Sequence, residues 1–185
     1  MIEVKGVSKR FGEILALDNI SLTVEKGQIV GFLGANGAGK TTTMDIICGC
    51  SGPDSGTVEI CGHDIVKEPL IAKQKLGYLP DIPPLYPEMK VEEAITFTAK
   101  LRKVPSDKQK EAVNKAINAL SLESVRNRLV GNLSKGFRQR VAFAKAIVHD
   151  PEVLILDEPT EGLDPNQIAQ MRELIRSLKG DHTIM

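Results

Sequence analysis

A chain of 185 residues, 42% hydrophobic and 26% charged, has room for one domain with a sizeable core, and that composition excludes wholesale disorder, collagen-like repetition and a disulfide scaffold. Lys plus Arg and Asp plus Glu each total 24, so no global field advertises a nucleic-acid or membrane-surface partner. No apolar run approaches the about 18 residues of a membrane span, and MIEVKGVSKRFG lacks a signal-peptide apolar region.

The elements follow from where hydrophobic periodicity changes. Ile2-Val4 and Ile20-Leu22-Val24 alternate with polar residues, which predicts half-buried strands of a sheet with one wet face. Glu25-Lys26-Gly27 reads as a turn. Gln28 to Leu33 is nearly continuously apolar, which predicts a strand covered on both faces. Cys48, Cys50 and Cys61 lack zinc-type spacing, and Cys48-Gly49-Cys50 holds two thiols too close for an easy bridge; they read as reduced thiols, with Cys48 a small buried hydrophobe at a helix end.

Residues 88–130 are mainly helical, with Val91 to Leu101 and Ser106 to Leu120 at helical spacing, Ser106 as N-cap and the local Lys and Arg on a solvated face. Val153-Leu-Ile-Leu156 predicts a second buried strand beside the first in a parallel core. Asn166 is the expected cap of a helix carrying Ile168, Met171, Leu174, Ile175 and Leu178, with Gly180 past its end. Thr183-Ile-Met185 starts a further strand, so the fold is expected to continue beyond it.

Gly34-Ala35-Asn36-Gly37-Ala38-Gly39-Lys40-Thr41 follows the first buried strand and leads into an apolar helix, which is GxxxxGK[ST] in its required strand-loop-helix context. Glycines let successive N–H groups turn inward around a polyphosphate, and the helix N-terminus adds partial positive charge. Lys40 supplies a mobile cation for the β- and γ-phosphates, and the Thr41 hydroxyl suits Mg²⁺. The second buried strand ends in Asp157-Glu158: Asp157 is assigned to Mg²⁺, and Glu158 to orienting a water and accepting its proton.

Leu133-Ser134-Lys135-Gly136-Phe137 precedes that strand, and Gly162-Leu163-Asp164-Pro165 follows it. Phosphate loop, LSxG segment, Asp-Glu strand and GLDP in this order resemble the nucleotide-binding domain of ATP-binding cassette (ABC) transporters over essentially the whole chain. The resemblance implies an α/β P-loop NTPase core with a parallel sheet, an N-terminal antiparallel β subdomain and an inserted α-helical subdomain. Residues 1–81 and 151–185 would form the core and about 82–150 the helical part.

It further implies Mg²⁺-dependent ATP hydrolysis in a head-to-tail dimer on the cytoplasmic face of a membrane, coupled to a separate permease, with no nucleic-acid partner and no direct membrane insertion. In that dimer Ser134, Lys135, Gly136 and Phe137 would meet the γ-phosphate held by the partner's loop, and Asp164 would sit at the seam. Phe11 aligns with the aromatic that stacks on adenine, and Gly34, Asn36, Gly37, Ala38, Gly39, Lys40, Thr41 and Thr42 would hold the nucleotide.

The signature reads LSKGF rather than LSGGQ, and Asp81, after Tyr78-Leu79-Pro80, stands where the family has a glutamine sensing Mg²⁺ and water. Asp81 is therefore a candidate for both the catalytic and the metal set. LSKG with an acidic residue after YLP is similar to bacterial ABC-2-type export ATPases. The family's switch histidine has no counterpart before Met185; His182 comes too early and is expected at the surface. An ATP-binding module without turnover, a non-transport ABC ATPase and a small-metabolite kinase are the competing readings; the last leaves LSKG and GLDP unexplained.

Overall fold

A computed structural model describes all 185 residues and divides them into two compact units. The first comprises residues 1–78, 152–157 and 179–185, and the second residues 79–151 and 158–178. Residues 158–178, expected with the strand-bearing core, thus pack with the helices.

In the first unit, β1 (Ile2–Phe11) and β2 (Ile14–Val24) form an antiparallel hairpin, joined on its other side by β3 (Ser55–Ile60) and β4 (His63–Asp64) in the order β2-β1-β3-β4. The alternation read from the sequence sets the register: Ile2 pairs with both Val24 and Ile60, which places three apolar side chains in a row on the buried face. The helix α1 (Lys40–Ile47) closes this core with Met44, Ile46 and Ile47, and Cys48 ends it as a buried residue. None of the three cysteines forms a disulfide.

Where β3 crosses β1, Gly56 adopts φ +83°, and a Cβ there would lie 2.4–2.5 Å from the Gly6 and Lys5 backbone. Backbone cannot retreat as a side chain can. Gly56→Ala should therefore cost more than the about 1–3 kcal/mol of φ strain alone, read as a lower urea midpoint at unchanged slope; an unchanged midpoint would refute the crowding.

After α2 (Pro69–Gln74), a second sheet runs in the order β5 (Leu76–Leu79), β6 (Val153–Leu156), β7 (Thr183–Ile184), with β6 and β7 parallel. All four β6 residues are buried, as their unbroken apolar run requires. Gln28 to Leu33 does not form the expected buried strand. Only Ile29 bridges to Ile184, with the Val30 N–H donating to the Ile184 carbonyl at 2.8 Å, and Leu33 is 92% exposed. The hydrogen bonds between this segment and β7 involve Gln28 and Val30 only, so no ladder extends to Leu33. His182, expected at the surface, is buried ahead of β7.

The second unit contains α3 (Val91–Leu101), α4 (Gln109–Ala119), α5 (Lys135–Ile147) and α6 (Pro165–Ser177). Val91, Ile95, Ile117, Leu120 and Phe143 fill its interior. Arg126 ties α3 to α4 by pairing with Glu92 and donating to Asn114 Oδ1 at 2.8 Å. Ser106 is not the cap of α4. The Lys108 N–H closes a turn on the Pro105 carbonyl, so the helix begins at Gln109. Nor does Asn166 cap α6: the Asp164 carboxylate accepts from the Gln167 N–H at 2.9 Å, and Pro165 occupies the first helical position, where its missing N–H costs nothing.

Candidate functional site

In the first unit the chain leaves β7 at Val30 and reaches α1 through the glycine-rich loop. Gly37 and Gly39 have φ +81° and +83°, in the left-handed region. A Cβ on Gly39 would meet Leu17 Cδ2 at 2.6 Å and the Ala16 carbonyl oxygen at 2.7 Å, so glycine is required there by conformation and by close approach. Gly39 is also the N-cap of α1, and it has no side chain to occupy the helix's first N–H groups. Lys40 folds back across the loop, donating to the Gly34 and Ala35 carbonyls at 2.9 Å each. Thr41 is exposed, Thr42 half-buried and Thr43 buried with its hydroxyl on the Gly39 carbonyl at 2.8 Å. A backbone cradle with a helix N-terminus and a lysine on a flexible stem is chemistry for a polyphosphate.

Asp157 lies buried at the end of β6. Near it is Tyr78, whose phenol is pushed above its usual range by burial first, with Cys48, Asp45 and Asp157 adding to the shift. The Thr41 hydroxyl and the Asp157 carboxylate are hard oxygen donors of the kind Mg²⁺ selects, so the residues of this unit fit that ion. At the tip of the β1-β2 hairpin Phe11 is 51% exposed. Lys9 stands 5.5 Å above its ring and pairs with Asp54 at 2.9 Å, while the Arg10 N–H donates to the same carboxylate at 2.7 Å. An exposed aromatic on a braced hairpin offers a face for a planar ring.

In the second unit a cleft of about 510 Å³ is lined by Asp81, Glu158, Glu161, Lys135, Arg138 and Gln139, among others. Glu158 is exposed and holds φ +45°, an uncommon conformation for a residue with a Cβ and one that recurs at functional sites. A hydrogen bond that the protonated Glu161 carboxyl donates to Asp81 raises its pKa above the ordinary range, with Lys135 acting in the opposite sense. Buried Gln139 donates to the Pro159 carbonyl at 3.4 Å and so braces the segment after Glu158.

Ser134 is the N-cap of α5, its hydroxyl accepting from the Phe137 N–H at 3.4 Å. A Cβ on Gly136 would collide with the Gln167 amide at 2.6–2.8 Å, and one on Gly162 with the Lys135 side chain. The Gln167 and Lys135 side-chain ends thus lie against the backbone of Gly136 and Gly162, and would have to swing aside for a larger residue.

The family model for the ABC transporter matches residues 17–161. The chain belongs to this family. Nod factor export ATP-binding protein I of Burkholderia lata is 38% identical over 96% of this chain and 58% of its own length. Bacitracin transport ATP-binding protein BcrA of Bacillus licheniformis is 36% identical over 100% of this chain and 59% of its own. The ABC chain thus spans under two thirds of these two relatives. Among solved structures, an ATP-binding subunit of an ABC transporter matches 99% of this chain and 77% of its own at 29% identity and TM-score 0.88. A dimeric ATP-binding cassette bound to ADP and Pi, in a post-hydrolysis state, matches 100% and 86% at 26% identity and TM-score 0.88. The fold is that of the P-loop NTPases.

Of the residues singled out in this ABC domain, Phe11, Gly34 to Thr42 and Asp157 fall in the first unit. Asp81, Ser134 to Phe137, Glu158 and Asp164 fall in the second, where one cleft gathers Asp81, Lys135 and Glu158. Sequence reasoning missed Tyr78, Gln139 and Glu161. Gln139 alone left a local signal, as a polar residue on a helix face otherwise filled by Gly136 and Phe143.

Proposed function

We propose that this ABC domain binds and hydrolyses ATP as the motor of a membrane exporter, two copies sandwiching two Mg-ATP and driving a separate permease. The observation that carries the reading is the loop itself: left-handed Gly37 and Gly39, an open helix N-terminus and Lys40 resting on loop carbonyls. The export direction is supported by the relative named for Nod factor export.

Phe11 stacks on the adenine, the loop N–H groups from Gly34 through Gly39 receive the phosphates, and Lys40 exchanges the Gly34 and Ala35 carbonyls for β- and γ-oxygens. Thr41 and Asp157 would hold Mg²⁺, which when bound neutralises the charge on the phosphate oxygens. Glu158 orients the attacking water and takes its proton. From the second copy, Ser134 with the Gly136 amide approaches the γ-phosphate at the N-terminus of α5, flanked by Lys135 and Phe137, and Asp164 lines the seam. Asp81 accepts hydrogen bonds from water in place of the family's glutamine. Most of the rate comes from positioning and electrostatics, as in other phosphoryl transfers.

No helix is long and apolar enough to cross a membrane. The domain works as a peripheral subunit on the cytoplasmic face, its helical arm and the Asp81–Tyr86 segment receiving a short helix of the permease. The test is the Mg-ATP hydrolysis rate against protein concentration. A rate rising more steeply than linearly is expected of a composite dimer site; a strictly linear rate would refute it. The acidic pair Asp81 and Glu161 favours a second reading, an ATP-binding module with little turnover, which predicts nucleotide affinity with no hydrolysis at any concentration.

A further inference from the structure

Lys145 sits in the last turn of α5, half-buried, at the far end of the helix that Ser134 caps. Its Nζ donates to the Pro84 carbonyl at 2.7 Å and stands 5.8 Å from the centroid of the Tyr86 ring. Tyr86 in turn meets Phe97 of α3 edge-on, with centroids 5.9 Å apart and planes at 88°. Burial depresses the Lys145 pKa, which marks an ammonium that has exchanged water for these partners.

The segment it grips has few other handles. Pro83, Pro84 and Pro87 have no N–H to give, so carbonyls and side chains must hold it. A cation on a carbonyl and over a ring face is a directional tether, whereas an apolar side chain would let the segment slide. α5 itself is a continuous rod: the eleven steps from Ser134 to Lys145 span about 16 Å. A pull on Pro84 at one end therefore acts on the signature turn at the other.

We propose that Lys145 is a positioning residue, clamping the Asp81–Tyr86 segment to α5 so that displacement of the segment is transmitted along the helix to Ser134–Phe137. This rests on the reading above, in which the segment faces the permease and the signature turn faces the nucleotide. Lys145 and Tyr86 share the ammonium–ring contact, while the Pro84 carbonyl belongs to Lys145 and the Phe97 contact to Tyr86, so removing both side chains should cost less than the sum of the two single losses.

The experiment compares wild type with Lys145→Met, which keeps the stem and loses the cation, Lys145→Arg, which can still donate and stack, and Tyr86→Ala. Amide hydrogen exchange is followed without nucleotide in peptides covering residues 79–90 and 133–140. Lys145→Met and Tyr86→Ala are expected to speed exchange about tenfold in both peptides, with Lys145→Arg near wild type. Exchange at wild-type rate in 79–90 would overturn the clamp, and acceleration there without a change in 133–140 would overturn the transmission. In hydrolysis, Lys145→Met should lower kcat with KM for ATP unchanged, and the double variant with Tyr86→Ala should lose less than the product of the two single effects; fully additive losses or a raised KM would overturn the proposal. Should wild type show no hydrolysis, the functional reading fails, while the exchange measurements still decide the clamp. Should Lys145→Met not fold, Tyr86→Ala carries both comparisons.

Discussion

Replacing Lys40 with alanine is expected to abolish measurable ATP binding and, with it, turnover. Lys40 is the one cation of the loop, and its ammonium already sits among loop carbonyls, 2.9 Å from the Gly34 and Ala35 oxygens. Moving it onto phosphate exchanges neutral acceptors for charged ones. Hydrogen bonds to charged groups contribute about 1.5–3 kcal/mol each, so losing two weakens ATP by roughly 10²- to 10⁴-fold. The fold should not notice: Lys40 contributes nothing to the buried core, and α1 keeps Met44, Ile46 and Ile47 inside it. The checks are equilibrium binding of a fluorescent ATP analogue and a urea melt of the same sample. Wild-type affinity in a folded Lys40→Ala variant would overturn the assignment of the loop.

The backbone shape of the glycine-rich loop was legible because its turns and the helix that follows are local. Glycines that must turn left, a lysine and a threonine follow one another within eight residues; only the close approach of Ala16 and Leu17 to Gly39 lies outside that stretch. The same is true of β6, whose unbroken apolar run says that both faces are covered, and of α3, bounded as its periodicity predicts. Gln28 to Leu33 carries the same apolar run and yet has no ladder beyond Val30, a difference in pairing that the run itself does not encode.

Helix starts were misread for a different reason: Ser106 and Asn166 are good caps by type, but the turn from Lys108 back to the Pro105 carbonyl holds α4 off until Gln109, and Pro165 takes the first position of α6 behind Asp164. His182 reads as polar and is buried. What could not be read at all was long-range: Lys145 reaches Pro84 across 61 positions, and Asp81 reaches Glu161 across the helical arm. A lysine in a helix carries no sequence mark that separates a clamp from a solvated charge.

Glu158→Gln should be the sharpest separation of binding from chemistry that this domain allows. The amide matches the carboxylate in size and still accepts a hydrogen bond from water, but it cannot take a proton at neutral pH. General-base catalysis contributes about 10²- to 10⁴-fold, so kcat should fall by that factor while affinity for Mg-ATP, set by the loop around Lys40, stays within about twofold. Stability should hold or rise slightly, because Glu158 shares its cleft with Asp81 and Glu161, and its charge already helps to push the Glu161 carboxyl up. Removing one of three carboxylates relieves repulsion rather than breaking a pair. Because ATP then binds without being consumed, the sandwich of two copies should persist: Glu158→Gln with Mg-ATP is expected to elute as a dimer in size-exclusion chromatography, where wild type under turnover returns to monomer. A variant that hydrolyses ATP at the wild-type rate would remove Glu158 from the chemistry and leave water activation to Asp81. One that loses ATP affinity along with kcat would instead mean that Glu158 holds the nucleotide in place.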